Sequence, residues 1–198
     1  MNKRIPLSAA SIVPLLAGSC VGDPAVSVPE NARPNIIFIF SDDLGIGDLS
    51  CYGATRVATP HIDRLAAQGQ RFTNAYATSA TSTPSRFGLL TGMYPWRLPN
   101  TQIAPGNSEL IIDPECHTLA DAMHDAGYVT GAVGKWHLGL GPVGGTDFNV
   151  EIRPDARDIG FDYEYLIPAT VDRVPCVFVE NGHVVGLCLL YTSPSPRD

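Results

Sequence analysis

Three short groups of residues in this chain carry chemistry. Ser82-Thr83-Pro84-Ser85-Arg86 sets a small hydroxyl directly ahead of a proline-started helix with an arginine in its first turn. A helix start offers unpaired backbone N–H groups and the positive end of the helix dipole, so an anion at Ser82 is met by both and by Arg86. That arrangement suits chemistry on a phosphate or sulfate ester, although a serine-rich loop that merely caps a helix uses the same residues. Asp42 and Asp43 are adjacent carboxylates that repel unless a cation or a hydrogen-bond array holds them, and hard divalent ions take such oxygens. Gly45 and Gly47 let that loop fold closely around an ion, but an Asp-Asp pair in a Gly-rich turn is also what a solvated loop contains. Lys135 and His137 stand two apart, so an extended segment projects them from one face; Lys-Trp-His also reads as cover for a sheet edge.

The elements that must position these groups follow from periodicity and punctuation. Pro34-Asn35-Ile36-Ile37-Phe38-Ile39-Phe40 is a continuous apolar run between a proline and an acidic pair, the pattern of a strand buried on both faces. Thr59-Pro60 is an N-cap and N1 pair, and Ile62, Leu65 and Ala66 recur at helical spacing before Gly69, giving a surface helix with one buried stripe. A second helix is predicted over 83–90, stopped by Gly92, and a third over 118–126, with Leu119, Ala122, Met123 and Ala126 facing inward and Gly127 ending it. Tyr128 to Val133 leads out as a strand, and Asn181 and His183 lie in a Gly turn between Val177-Phe178-Val179 and Val184-Val185. Strand, helices and strand in this order imply an α/β layered fold with a mainly parallel sheet and helices on both faces. Such sheets place ligands beyond the carboxyl ends of their strands, where Asp42-Asp43 and Gly134-Lys135-Trp136-His137 would lie. From Gly139 to Asp158 the chain is rich in Gly, Pro and Asp, a long loop of the kind that shapes a substrate site.

Both ends read differently from the body. Residues 1–19 run from Lys3 and Arg4 through an apolar stretch to Ala17-Gly18-Ser19, the sections of a secretory signal, too short to span a membrane. Small residues ahead of Cys20 are similar to a bacterial lipobox, with Cys20 acylated as the mature N-terminus; ordinary signal cleavage is the alternative. The expectation is therefore export, to the periplasm or to a lipid anchor on the envelope of a Gram-negative-like bacterium, with residues 20–33 as a tether. Residues 188–198, Cys188 to Asp198, resemble the in-frame translation of an adapter used in preparing sequencing libraries, so the native frame is expected to run only to Leu187. The remaining body has the size of a single domain or part of one. The whole chain carries a formal charge of −7, and without Lys3 and Arg4 the body is more acidic still, which argues against nucleic acid as a partner. An anionic substrate then needs a local basic pocket. Of five cysteines, Cys51, Cys116 and Cys176 belong to the body, an odd number that gives no complete disulfide framework.

Taken together and in order, Pro34-Asn35-Ile36-Ile37 through Asp42-Asp43-Leu44-Gly45, Thr59-Pro60-His61-Ile62-Asp63-Arg64-Leu65-Ala66, Ser82 to Arg86 followed by Leu89-Leu90-Thr91-Gly92, and Gly127-Tyr128 through Gly134-Lys135-Trp136-His137-Leu138-Gly139 resemble the formylglycine-dependent sulfatases, whose fold is that of the alkaline-phosphatase superfamily. The resemblance implies that residues 34–187 are the N-terminal part of such a catalytic domain. It implies that Ser82 is the position oxidised to formylglycine, by an iron–sulfur radical maturase in serine-type bacterial members. Asp42 and Asp43, with the hydrated aldehyde at position 82, would bind Ca²⁺, favoured over Mg²⁺. Arg86 would hold the diol and neutralise charge, Lys135 would contact the diol and a sulfate oxygen, and His137 would take a proton from the second hydroxyl to expel sulfate. His61 and Arg64 read as structural, Trp136 as packing under the Lys/His edge, and Cys51 as a small buried apolar residue.

Asp158-Ile159-Gly160-Phe161-Asp162-Tyr163 and Pro168 to Pro175 look like a subgroup of carbohydrate sulfatases that remove 6-O-sulfate from galactose or N-acetylgalactosamine. Asp172 and Arg173 would then hydrogen-bond sugar hydroxyls, or form a surface ion pair. The family's later Asp/Asn metal ligands and its downstream sulfate-binding histidine and lysine have no match here, so this chain alone is expected to be inactive and poorly stable. Two rival readings share the residues: a phosphate or phosphonate ester hydrolase with unmodified Ser82 as nucleophile, and a non-catalytic surface lipoprotein that binds sulfated glycan.

Overall fold

The computed structural model describes residues 33–186; the expected signal, Cys20, most of the tether and the tail from Cys188 lie outside the described residues. Residues up to Ser41 and those from Asp42 form two units. In the first, residues 33–40 adopt neither helix nor strand, Ile36 to Phe40 are exposed, and the rings of Phe38 and Phe40 stack at 6.3 Å. The doubly buried strand expected at Pro34–Phe40 is thus not formed in this structure. An apolar run requires cover on both faces and a paired backbone, but it does not itself supply the elements that provide them.

In the second unit, α1 (Pro60–Gln68) starts after Thr59 as expected. Its anchoring is polar. Ser50 Oγ donates to Asp63 Oδ2 (2.6 Å), Thr59 Oγ1 donates to Asp63 Oδ1 (3.1 Å), and the backbone N–H of Thr59 donates to Ser50 Oγ (2.8 Å). The stripe expected to be buried is not: Ile62 and Leu65 are 40% and 63% exposed. Helical spacing fixes which residues share a face, whereas burial needs an apposed layer.

α2 spans Ser82–Thr91 and ends at Gly92, and α3 spans Leu119–Asp125 behind Thr118. Thr118 Oγ1 accepts from the N–H groups of Ala120 and Asp121, and the Asp121 carboxylate accepts from the Thr118 N–H (2.8 Å), a reciprocal cap that determines where α3 begins. Its buried residue is Ala120, while Leu119 and Ala126 are exposed, so the expected inner face is rotated. The cap and a bond from Thr118 Oγ1 to the Ile159 carbonyl set that rotation.

β1 (Gly131–Lys135) pairs parallel with β2 (Tyr163–Ile167), which pairs antiparallel with β3 (Val179–Glu180), itself antiparallel to β4 (His183–Val184). The fold is α/β, but the sheet, in order β1-β2-β3-β4, is mixed rather than mainly parallel. β1 begins three residues later than the sequence suggests. Residues 128–130 are taken up by the turn out of α3, where the Tyr128 N–H bonds the Met123 carbonyl, and by a clasp in which the Thr130 N–H donates to Asp162 Oδ2 (2.7 Å). The β3–β4 turn is Asn181-Gly182, with φ of 47° and 79°, the left-handed pair that a two-residue hairpin of this twist demands. Phe87 of α2, Trp136, Leu138 and Leu140 after β1, Leu166 of β2, Val179 of β3 and Ile112, Ile152, Ala156 and Ile159 form one buried cluster. That shared core ties the start of α2 to the segment after β1, which is what brings the chemical residues together.

Candidate active site

Ser82 is the first residue of α2 rather than the residue before it; Thr81 is the N-cap, and its side chain makes no capping bond. Placing Ser82 one turn ahead of Arg86 on a helix lets Arg86 Nε donate to Ser82 Oγ (3.0 Å). Arg86 Nη1 donates to the Lys135 carbonyl at the end of β1 (2.8 Å), and its Nη2 lies 3.9 Å from Asp42 Oδ1. The Lys135 ammonium donates to Asp42 Oδ2. One carboxylate is thus held between two cations that come from a helix and a strand.

His137 approaches Ser82 from the other side, with Nδ1 3.0 Å from Oγ. Its Nε2 is 3.0 Å from the Ala104 carbonyl, an atom that can only accept, so in the neutral ring Nε2 carries the proton and Nδ1 presents its lone pair to the Ser82 hydroxyl. The ring is 2% exposed. His137 takes a left-handed backbone, φ 58°, immediately after Trp136 and His137 have given their N–H groups to the Ile167 and Pro168 carbonyls, 2.9 Å each. The ladder with β2 therefore continues two residues past β1 and then turns His137 inward. Lys135 and His137 do flank one site, but the sharp turn, not strand alternation alone, aims the imidazole.

The charges are mutually adjusted. A hydrogen bond from Lys135, reinforced by the charges of Lys135 and Arg86, holds the Asp42 carboxyl below its usual range against the opposing effect of burial. Burial pushes the Arg86 guanidinium down, and Asp42 pulls it back. For His137 burial is the main cause of a lowered pKa; the bond to Ala104 opposes it, and the charges of Lys135, Arg173 and Arg86 add to it. A neutral imidazole, a hydroxyl at its lone pair and two cations beside them form a site able to deprotonate an oxygen at position 82 and to hold an anion there.

Ser82, Arg86, Lys135, His137 and Asp42 are therefore brought together. Asp43 is exposed at φ 55°, and the turn after it closes through a bond from the Gly45 N–H to Asp48 Oδ2 (2.8 Å). Asp172 is exposed, and Arg173 donates through Nη1 to the Ala104 carbonyl (2.6 Å). Trp136 is 5% exposed, donates to the Gly139 carbonyl (2.8 Å) and packs edge-on against Phe161, the supporting role expected of it. His61 and Arg64 face each other on exposed α1, and Cys51, expected buried, is half-buried.

Two participants escape sequence reasoning. Thr83, wholly buried, donates through Oγ1 to the His137 carbonyl (2.9 Å) and accepts from the Ala104 N–H (3.0 Å). Its place beside Ser82 was the only available signal. Ala104 contributes only peptide groups, which no residue type announces.

No group of three His, Cys, Asp or Glu side chains arranged to hold a metal occurs among the described residues. Asp42 and Asp43 are hard oxygen donors, and the cations gathered on Asp42 mark it as a carboxylate that stays ionised. Ca²⁺ takes roughly six to eight oxygens, so the pair fits as part of its shell and not as the whole.

Comparison with known proteins meets this geometry. The family model described as Sulfatase matches residues 34–165. N-acetylgalactosamine-6-O-sulfatase of Bacteroides thetaiotaomicron is 81% identical over 155 residues, which cover 78% of this chain and 30% of that protein. Human arylsulfatase A is 42% identical over 146 residues, covering 72% of this chain and 27% of its own length. A solved structure described under the metabolism of multiple glycosaminoglycans by Bacteroides thetaiotaomicron superposes with a TM-score of 0.78 at 80% identity, covering 79% of this chain and 32% of that one. The chain thus spans about a third or less of the relatives it matches.

Proposed function

Because this chain belongs to the sulfatase family, we propose that the protein carrying it removes 6-O-sulfate from a sulfated galactose-type sugar, with N-acetylgalactosamine as the favoured residue, through a formylglycine made from Ser82. The observation that carries this reading is the pincer on Ser82 Oγ, with Arg86 Nε on one side and His137 Nδ1 on the other, both at 3.0 Å. The sugar follows from the 81% identical relative named for that activity.

When bound, Ca²⁺ held in part by Asp42 and Asp43 would polarise the sulfate group. A hydrated aldehyde at position 82 would supply two hydroxyls: the oxygen of one forms a bond to sulfur as the bond from sulfur to the sugar oxygen breaks and that oxygen takes up the proton, and deprotonation of the other breaks the Cβ–O bond, releasing sulfate and restoring the aldehyde; a plain serine has no second hydroxyl. The chain's own residues are disposed for this division. His137 Nδ1 is the base for a hydroxyl at position 82, because Ala104 holds the ring proton on Nε2. Arg86 donates to the other side of the same position, and Lys135 provides a second cation for a sulfate oxygen.

The test is mass spectrometry of the tryptic peptide Phe72–Arg86, taken from a host with the radical maturase, together with turnover of 6-O-sulfated N-acetylgalactosamine by the full-length protein. Loss of two hydrogens at Ser82 with sulfate release is the expected result. An intact serine with turnover of a phosphate ester would replace this reading by direct attack from Ser82.

A further inference from the structure

Arg173 touches the machinery from an unexpected direction. Its guanidinium Nη1 donates to the Ala104 carbonyl (2.6 Å), the same oxygen that receives His137 Nε2 (3.0 Å). A carbonyl oxygen has two lone pairs and accepts both donors. The other face of that residue is also held, since the Ala104 N–H donates to Thr83 Oγ1 (3.0 Å), which in turn donates to the His137 carbonyl (2.9 Å). Residues 98–118, which include Ala104, contain no helix or strand, so these bonds, not a ladder, orient its carbonyl.

The two segments are also built to lie against each other. A Cβ on Gly106 would sit 2.2 Å from the Val174 carbonyl oxygen and 3.3 Å from Arg173 Cβ, so only glycine permits the approach that brings Arg173 to Ala104.

On this geometry, and resting on the sulfatase reading above, we propose that Arg173 is a positioning residue: by sharing the Ala104 carbonyl with His137 it fixes the imidazole in the Nε2–H tautomer with Nδ1 aimed at position 82. This differs from the sugar-hydroxyl role suggested by the sequence. A guanidinium committed to a backbone carbonyl acts on turnover through His137, whereas a sugar contact acts on binding.

The experiment compares Arg173→Met and Arg173→Lys with the wild type in the full-length protein, reading kcat and KM on 6-O-sulfated N-acetylgalactosamine and the ¹⁵N signals of the His137 ring. Met fills the space without a donor, and Lys restores charge and a donor. The expected result is a kcat lower by roughly tenfold to a hundredfold in Arg173→Met, with KM nearly unchanged and most of the loss recovered in Arg173→Lys. In the ring spectrum, the wild type shows one tautomer protonated at Nε2, and Arg173→Met loses that single pattern. If Arg173→Met does not fold, Arg173→Gln, which keeps a single amide donor without charge, is read in its place, with an intermediate loss. A raised KM with kcat and the ring spectrum unchanged overturns the proposal and makes Arg173 a substrate contact. If the wild type has unmodified Ser82 or no sulfatase turnover, the proposed function falls, and the ring spectrum still decides the role of Arg173.

Discussion

Thr83→Val separates hydrogen bonding from packing at the centre of the site. Thr83 is fully buried, and its hydroxyl serves two buried backbone groups, the His137 carbonyl at 2.9 Å and the Ala104 N–H at 3.0 Å. Valine keeps the volume and leaves both groups without that partner. An unsatisfied buried group costs about 1–3 kcal/mol, so the variant should lose roughly 2–6 kcal/mol. Thr83→Ser makes the opposite change: it keeps the hydroxyl and removes one methyl, for about 1 kcal/mol. Urea unfolding of the full-length protein measures both. Turnover should follow the same order, because Thr83 links Ala104 and His137 directly: Thr83→Val falls by more than about tenfold and Thr83→Ser by less. Were Thr83→Val as stable and active as wild type while Thr83→Ser was impaired, the hydroxyl would be irrelevant and the argument for a bonded clamp would fail.

Two further outcomes follow from other parts of the fold. Glu164 is fully buried, accepts from the Ala156 and Gly182 N–H groups at 3.0 Å each, and has its pKa pushed up to about 7, mainly by burial and then by Asp155. A carboxyl that keeps its proton longer when folded contributes most below the ordinary carboxylate range. Stability should fall by about 1.4 kcal/mol per pH unit as pH rises from there to about 7, and that slope should be missing in Glu164→Gln when unfolding is followed against pH. On the proposed function, Gly106→Ala should lower kcat and leave the mass of the Phe72–Arg86 peptide as in the wild type, because the new Cβ meets the Val174 carbonyl at 2.2 Å and forces Arg173 away from Ala104; kinetics with the peptide mass spectrum check both parts.

Much of the site was legible because its chemistry is written in side chains at short spacing. Ser82 and Arg86 lie four apart on one helix, where a turn brings them into hydrogen-bond range, and Lys135 and His137 stand at the end of a strand. The turns were legible for a similar reason: Asn181-Gly182 and Gly92 mark backbone conformations that few residues adopt. Burial was less legible. Ile62 and Leu65 of α1 share a face as expected yet remain exposed, Leu119 of α3 is exposed while Ala120 is buried, and the apolar run through Phe40 lies open. Period and hydrophobicity describe one element, and burial is a relation between two.

The sequence alone determined the family, the places of α1, α2 and α3 and the residues proposed to do chemistry, since each depends on residue type and local spacing. Tertiary structure decided how those residues act. Asp42 is an acceptor for Lys135 with Arg86 close by, His137 is oriented by the Ala104 carbonyl, and Arg173 and Thr83 join the site through that same residue. Peptide groups carry no identity in the sequence, so what they hold in place emerges only when packing around Phe87, Trp136, Leu138 and Leu166 brings distant segments into contact.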